Sequence, residues 1–346
     1  MKFKDIAIIK VLSGIVMVED VAIINFGSKD SGLGTYAELI GKVVSNVNSF
    51  IIDKRHLNDT YVGKTYKGLY PPLSSGFGIN TRLFPYTFHN YILPDKIHIL
   101  SPLIKAPKRN GIVTFHDLYY LYRSSANNQY LKKVADSYKN WDHLIAVSKA
   151  TKRDMISEGF EEDKITVIHH ACLPTFRYLG DENRQIIRKA MVKDRPVVLS
   201  VGDGLANKNT ELVNKACKDS WIHIHVGKEK ADINYTEVSP EFLNILYNVA
   251  DVYVRPASFE GFGFPAIESL YAGTPAVVGD IPVYHETLGD AGIYVKQDVT
   301  SVRMGLEQAM HEKNEVVKRF DRNKRQYFSL ERFRTEMIEY YSKSFK

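Results

Sequence analysis

The segment DVYVRPASFEGFGFPAIESLYAGTPAVVGD, Asp251 to Asp280, frames the reading of the whole chain. DVYVRP at 251–256 and PAVVGD at 275–280 are short, β-rich apolar runs of the kind buried in parallel sheets. Helical sequence over 265–272 lies between them. It opens on Pro265, a residue suited to a first helical turn because its missing N–H is not needed there. Strand, helix and parallel strand make one crossover unit, right-handed by chain sterics. The join between strand and helix is unusual. Glu260 and Glu268 bracket Gly261, Phe262, Gly263 and Phe264, and the two glycines let a ligand approach bare backbone. A helix start carries free N–H groups and partial positive charge, which suits phosphate. Carboxylates suit hydroxyls. Hydroxyl, phosphate, hydroxyl describes a nucleotide sugar. The same residues would also serve as an ordinary helix start with two solvated acids.

The pattern repeats outward in both directions. Toward the N-terminus, strands are expected at 21–26, 49–53, 96–100, 111–117, 143–148 and 165–170, with helices at Tyr36–Val44 and 149–159. The second helix would open at Ser148 or Thr151 and close at Gly159. After the polar stretch CLPTFRYLGDENR, a second series gives strands at 196–202 and 221–227 and helices at 209–218 and 240–249. Ser239, Pro240 and Glu241 supply an N-cap, a first-turn proline and a first-turn acid. Two such series predict an α/β chain of two doubly wound, Rossmann-like domains, joined near 173–183, with ligands at the carboxyl ends of the strands in a central cleft.

Other strand ends supply further candidates. VGDGLANKN at 201–209 places Lys208 where an ammonium could meet a diphosphate. GSKDSGLGTYAELIG at 27–41 places Gly32, Leu33 and Gly34 before a helix as a second backbone cradle. It also fits G-x-G-x-x-A, with Asp53 ending the next strand, the signature of dinucleotide binding. The intervening GSKDS argues against that reading, because the first glycine of that signature follows its strand almost directly. TFHDLYY puts His116 and Asp117 at a strand end as a site candidate, whereas His169 and His170 read as structural.

Composition narrows the classes. With 346 residues, 44% hydrophobic and 25% charged, the chain fits a soluble two-domain protein. IAIIKVLSGIVMV near the start is too short and too interrupted to span a bilayer. Cys172 and Cys217 form no metal or redox spacing and read as packed thiols of a reducing compartment. A formal charge of +6, with dispersed basic residues, permits an anionic ligand or peripheral contact with an anionic membrane but gives no nucleic-acid stripe. No H-x-x-x-H or acidic cluster points to a metal.

Taken together, these motifs resemble the retaining glycosyltransferases of family 4, the group 1 enzymes of the GT-B fold. EGFGFPAIESLYAGTPAVVGDIPVYHETLGDAGIYV carries the resemblance most specifically, with the E-x7-E element at Glu260 and Glu268. SGLGTYAELI, VTFHDLYYL, HLIAVSKATKRDMISEGFEEDKITVIHH, LSVGDGLANKN and the terminal FSLERFRTEMIEYY extend it over most of the chain. The resemblance implies an acceptor domain over 1–175, with 1–20 as an extension, and a donor domain over 176–325. It further implies a final helix at 326–346 that packs back toward the first domain.

The implied activity is metal-independent transfer of a hexose, with retention, from a UDP- or GDP-linked sugar to an acceptor hydroxyl. The acceptor would be a sugar, a lipid-linked glycan or a protein glycan, and the setting cytoplasmic or membrane-peripheral. No cofactor is implied beyond the nucleotide sugar as co-substrate. By the same resemblance Glu268 would bind ribose hydroxyls and Glu260 the transferred sugar. Backbone groups of Gly261 to Phe264 would hold sugar and diphosphate, and Lys208 would stabilise the departing diphosphate. His116 would touch the sugar from the first domain, and Gly32 to Gly34 would lie near phosphate and acceptor.

The chain departs from the family pattern in three places. Many relatives carry an arginine where Asp203 or Asn207 stands here, so another base such as Arg255 would have to serve. Residues 1–20 and the Tyr- and Gly-rich stretch 58–80 have no counterpart. A nucleotide-sugar epimerase and a non-catalytic nucleotide-sugar-binding protein are the alternative functions on the same architecture.

Overall fold

The computed structural model describes residues 21–25, 32–43, 50–53, 96–102, 106, 110–118, 126–192, 195–202, 209–218 and 220–345. Asp203, Asn207, Lys208, residues 1–20 and the stretch 58–80 lie outside these described residues. In chain order the elements are β1 (Val21–Asn25), α1 (Gly32–Val43), β2 (Phe50–Asp53), β3 (Lys96–Ile99), β4 (Ile112–Phe115), α2 (Ala126–Asp136), β5 (His143–Ala146), α3 (Lys149–Ser157) and β6 (Ile165–Val167). They continue with α4 (Asp181–Met191), β7 (Val197–Val201), α5 (Thr210–Cys217), β8 (Ile222–Val226), β9 (Ile233–Tyr235), α6 (Pro240–Val249) and β10 (Val252–Arg255). Last come α7 (Phe264–Tyr271), β11 (Ala276–Gly279), α8 (Pro282–Leu288), β12 (Gly292–Val295), α9 (Val299–Asn323) and α10 (Leu330–Ser344).

Two six-stranded sheets result. One runs β2-β1-β3-β4-β5-β6 and the other β12-β11-β10-β7-β8-β9. The pairs of β10 with β11 and with β7 are parallel, in register Tyr253 to Ala276 and Tyr253 to Leu199. β7 pairs β8 in parallel with Ser200 opposite His225. The α/β architecture with parallel sheets is the one expected from sequence. The chain divides into two compact units, one of residues 1–114, 129–145 and 334–346, the other of 115–128 and 146–333.

Within the first unit, a buried polar chain joins four elements. Tyr36 of α1 bonds Thr114 of β4 (3.1 Å), Thr114 bonds His98 Nε2 of β3 (2.8 Å), and His98 Nδ1 bonds the Tyr341 hydroxyl of α10 (2.7 Å). α1 begins at Gly32 rather than after Gly34, so both glycines belong to its first turn. Gly32 is exposed and Gly34 buried.

Within the second unit, the sheet core is Val197, Val198, Leu199, Val252, Val254, Val277 and Val278, all fully buried. Such continuous β-branched runs are what a sheet covered on both faces requires. Ser148 caps α3 by accepting from the Thr151 N–H at 3.0 Å, and Gly159, with φ of 86°, follows that helix. Ser239 caps α6 in the same way through the Phe242 N–H at 3.2 Å. No helix among the described residues is long and apolar enough to cross a membrane.

Candidate active site

β10, α7 and the intervening loop all belong to the second unit, and so does His116. α7 begins at Phe264, one residue before Pro265, and its N-cap is Gly263 with φ of 85°. That backbone state favours glycine, and a Cβ there would also lie 2.6 Å from the Tyr284 ring. Gly261 has a different need. A Cβ on it would lie 1.8 Å from the His116 carbonyl oxygen. The Thr151 hydroxyl sits between the same two residues, donating toward the His116 carbonyl at 3.3 Å and the Gly261 carbonyl at 3.5 Å. Gly261 thus lets the loop press its main chain against the His-Asp strand end, and Gly263 lets it pass the Tyr284 ring.

The glutamates differ in setting. Glu260 is partly exposed, whereas Glu268 is 5% exposed in the second turn of α7. Burial pushes the Glu268 carboxyl up to about 7, against the hydrogen bond that the buried Tyr247 hydroxyl donates to Oε2 at 2.8 Å. One donor leaves a carboxylate well short of its acceptor capacity.

Aromatic rings fix the loop from behind. His170 is fully buried and stacks on Phe264 with centroids 4.6 Å apart and planes 7° apart. Its other neighbour is His116, stacked at 5.3 Å and 26°, and Phe262 meets it edge-on at 4.7 Å. Burial, and then His116 beside it, hold the His170 imidazole well below its ordinary range, so the stack is built on a neutral ring. His170 therefore connects His116 to the loop.

His169 faces Glu286 of α8, with Nε2 2.5 Å from Oε1, and its Nδ1 is 2.8 Å from the Tyr327 hydroxyl. The carboxylate fixes the tautomer: Nε2–H donates to Glu286, and Nδ1 accepts from Tyr327. Glu286 also accepts from the N–H groups of Lys149 (2.6 Å) and Ala150 (3.1 Å), capping α3 from 137 and 136 residues away.

Beneath the carboxyl ends of β7 and β8 runs a second polar chain. Asn214 Oδ1 is 2.6 Å from His223 Nδ1, and the Ser200 hydroxyl is 2.7 Å from both His223 Nε2 and His225 Nδ1. His225 Nε2 is 2.9 Å from Glu229 Oε2. The Asn214 amide donates to the Lys230 carbonyl at 2.6 Å, so its oxygen must face His223. Four bonds end on two acceptors, while two neutral imidazoles and one hydroxyl supply three protons. The chain is complete only with a fourth. Burial pushes His223 down to about 3 and lowers His225 as well.

The structure thus brings together His116, Arg255, Glu260, Gly261, Phe262, Gly263, Phe264 and Glu268 in one unit; Gly32, Leu33 and Gly34 belong to the other. Sequence reasoning passed over Tyr247, Tyr284 and Glu286, and read His170 as structural. The paired histidines were the visible signal for His170. A tyrosine or glutamate on a helix gives none. Among the described residues no group of three His, Cys, Asp or Glu side chains could hold a metal ion.

Known proteins match this chain in both halves. The family model for group 1 glycosyl transferases matches residues 226–327, which include both glutamates, and that for glycosyltransferase family 4 matches 66–172, which include His116. The O-antigen chain mannosyltransferase RfbU of Salmonella typhimurium is 30% identical over 237 residues. The chain is similar to the group 1 glycosyltransferases. Another relative, the O-antigen chain mannosyltransferase B of Escherichia coli, is 28% identical over 271 residues. The matches cover 61% and 66% of this chain, and the chain spans 62% and 66% of the lengths of these two relatives.

Solved structures agree on the GT-B fold. Anabaena Alr3699/HepE in complex with UDP-glucose superposes with a TM-score of 0.76 at 15% identity, covering 94% of this chain and 99% of that one. Sucrose-phosphate synthase from Thermosynechococcus elongatus gives 0.75 at 17%, covering 95% and 99%. WaaG, a glycosyltransferase involved in lipopolysaccharide biosynthesis, gives 0.73 at 14%, covering 91% and 98%.

Proposed function

We propose that this protein transfers a hexose from a nucleoside-diphosphate sugar to an acceptor hydroxyl, with retention and without a metal. The observation that carries the reading is the contact of Gly261 with the His116 carbonyl. It holds an expected sugar-contacting residue against a loop flanked by one open and one buried glutamate. Glu268 accepts the ribose hydroxyls, for which its carboxylate has spare capacity beside Tyr247. Glu260 and His116 face the transferred sugar, and the N–H groups at the start of α7 take the diphosphate. Lys208 neutralises charge that develops on the leaving group. The acceptor oxygen bonds to the anomeric carbon as the bond from that carbon to the phosphate oxygen breaks. The acceptor proton passes to the leaving phosphate. The names of the O-antigen mannosyltransferases favour mannose as the sugar and a glycan, lipid-linked or free, as the acceptor.

Titration calorimetry with UDP and GDP tests the donor assignment. One of them is expected to bind, and Glu268→Ala to weaken it. Binding of neither by the wild-type protein overturns the reading. Incubation with GDP-mannose and UDP-glucose, with and without glycan acceptors, tests the reaction. A free sugar-nucleotide isomer without acceptor would instead make the protein an epimerase.

A further inference from the structure

Arg255, the last residue of β10, is a buried charge with no close ion pair among the described residues. It is 2% exposed, and its Nε and Nη1 are buried without a hydrogen-bond partner among the described residues. Burial works against its charge, and the Tyr253, Glu260 and Tyr284 side chains around it outweigh that effect. Buried guanidinium groups are ordinarily paired, because desolvating one without a partner is costly. An orphan of this kind calls for a ligand or a strained role.

Its position identifies the ligand side. The guanidinium lies across the carboxyl end of β7. A Cβ on Gly202 would be 1.8 Å from Nη2, 2.9 Å from Cζ and 3.1 Å from Nη1. Gly202 has φ of 147°, and the Gly227 after β8 has φ of 156°. A Cβ on Gly227 would lie 2.0 Å from the Gly202 carbonyl oxygen and 2.3 Å from His225 Nε2. Two neighbouring parallel strands therefore end on bare backbone, Gly202 against the guanidinium and Gly227 against Gly202, at the edge where doubly wound sheets bind ligands. Between Gly202 and Lys208 the sequence contains Asp203 and no cation. A planar fork with free N–H groups matches a phosphate in two-point contact better than any point charge does.

The structure assigns Arg255 as the diphosphate-binding guanidinium of this site, seated through the absence of a side chain at Gly202 and delivered from β10 rather than from the residues after β7. The assignment rests on the donor reading for the nucleoside portion only. The anion contact is a separate claim.

Calorimetry on the full chain separates the two. The ligands are GDP, UDP, their nucleosides and inorganic pyrophosphate; the proteins are wild type, Arg255→Leu, Arg255→Lys and Gly202→Ala. Arg255→Leu is expected to lose about 10- to 100-fold in nucleoside-diphosphate affinity, the scale of a charged hydrogen bond, with nucleoside affinity unchanged. Arg255→Lys should fall between, and Gly202→Ala should reproduce the loss with the arginine still present. Equal loss for nucleoside and nucleoside diphosphate, or no loss, would make Arg255 a packing residue and overturn the assignment. Arg255-dependent binding of pyrophosphate without any nucleoside diphosphate would keep the anion site and sink the donor reading. No binding of any anion by the wild type would sink both. Arg255→Lys, which keeps the charge and the stem, reports the same ratio if Arg255→Leu fails to fold.

Discussion

Glu268, which is buried, and Glu286, which is partly buried, belong to one unit, and they are solved differently. Glu286 accepts from His169 and from two backbone N–H groups. Burial pushes its carboxyl up, yet the bonds from His169 and the Lys149 N–H win and hold it below the ordinary range. Among the described residues Glu268 has the Tyr247 hydroxyl alone, burial wins, and the carboxyl rises to about 7. The first is a finished structural joint. The second is an acceptor kept short of partners. Incomplete satisfaction separates the proposed binding group from the brace.

The comparison can be broken most forcefully at the chemistry. Glu260→Ala and Lys208→Ala should each reduce transfer by about 100-fold or more with the circular dichroism spectrum retained, the scale of losing an electrostatic contact at the reacting centre. Wild-type turnover in either variant would remove that residue from the mechanism. Next comes the brace. Glu286→Ala leaves His169 and two helix-start N–H groups short of an acceptor. It should cost about 2–3 kcal/mol in urea unfolding while nucleotide affinity per folded molecule stays constant. Gly261→Ala should also destabilise, because its Cβ would strike the His116 carbonyl, a backbone atom with little room to move.

The finest test is pH. If Glu268 binds hydroxyls as a carboxylate, nucleotide affinity should rise as pH climbs through about 7, and Glu268→Gln should flatten that profile. Its stability contribution has the opposite sense. A carboxyl raised from 4.5 to about 7 favours the folded protein most below about 4.5, and this contribution fades as pH rises through 7. Glu286, held low, contributes above its unfolded pKa and fades as pH falls. Urea midpoints of the two Gln variants across pH 4 to 8 should diverge from wild type in opposite directions. Parallel profiles would erase the distinction between joint and acceptor.

The parallel sheets were legible because their strands are unbroken apolar runs, and helix starts at Ser148 and Ser239 because their caps are chemical signals. β9 was not legible, being three residues with no apolar run. α4 was not legible: only its first residues fall in the join expected near 173–183, and its sequence DENRQIIRKAM leaves no residue buried. At the site, the E-x7-E loop announced itself through glycines. Tyr247 and the Glu286 cap did not, since each acts through a neighbour remote in sequence. Arg255 was visible as a candidate base, but its orphaned N–H groups and its seat on Gly202 exist only in three dimensions.

The cap on α3 has a consequence for synthesis. Lys149 and Ala150 wait for Glu286, the Cys172 N–H for the Phe328 carbonyl, and the His169 and His170 carbonyls for Arg332. A ribosome making this chain releases the His169-His170 strand end long before its partners emerge. The segment that seats His116 can close only once Glu286, Phe328 and Arg332 have emerged, so a chain truncated before Glu286 should leave that strand end open however well its first sheet has formed.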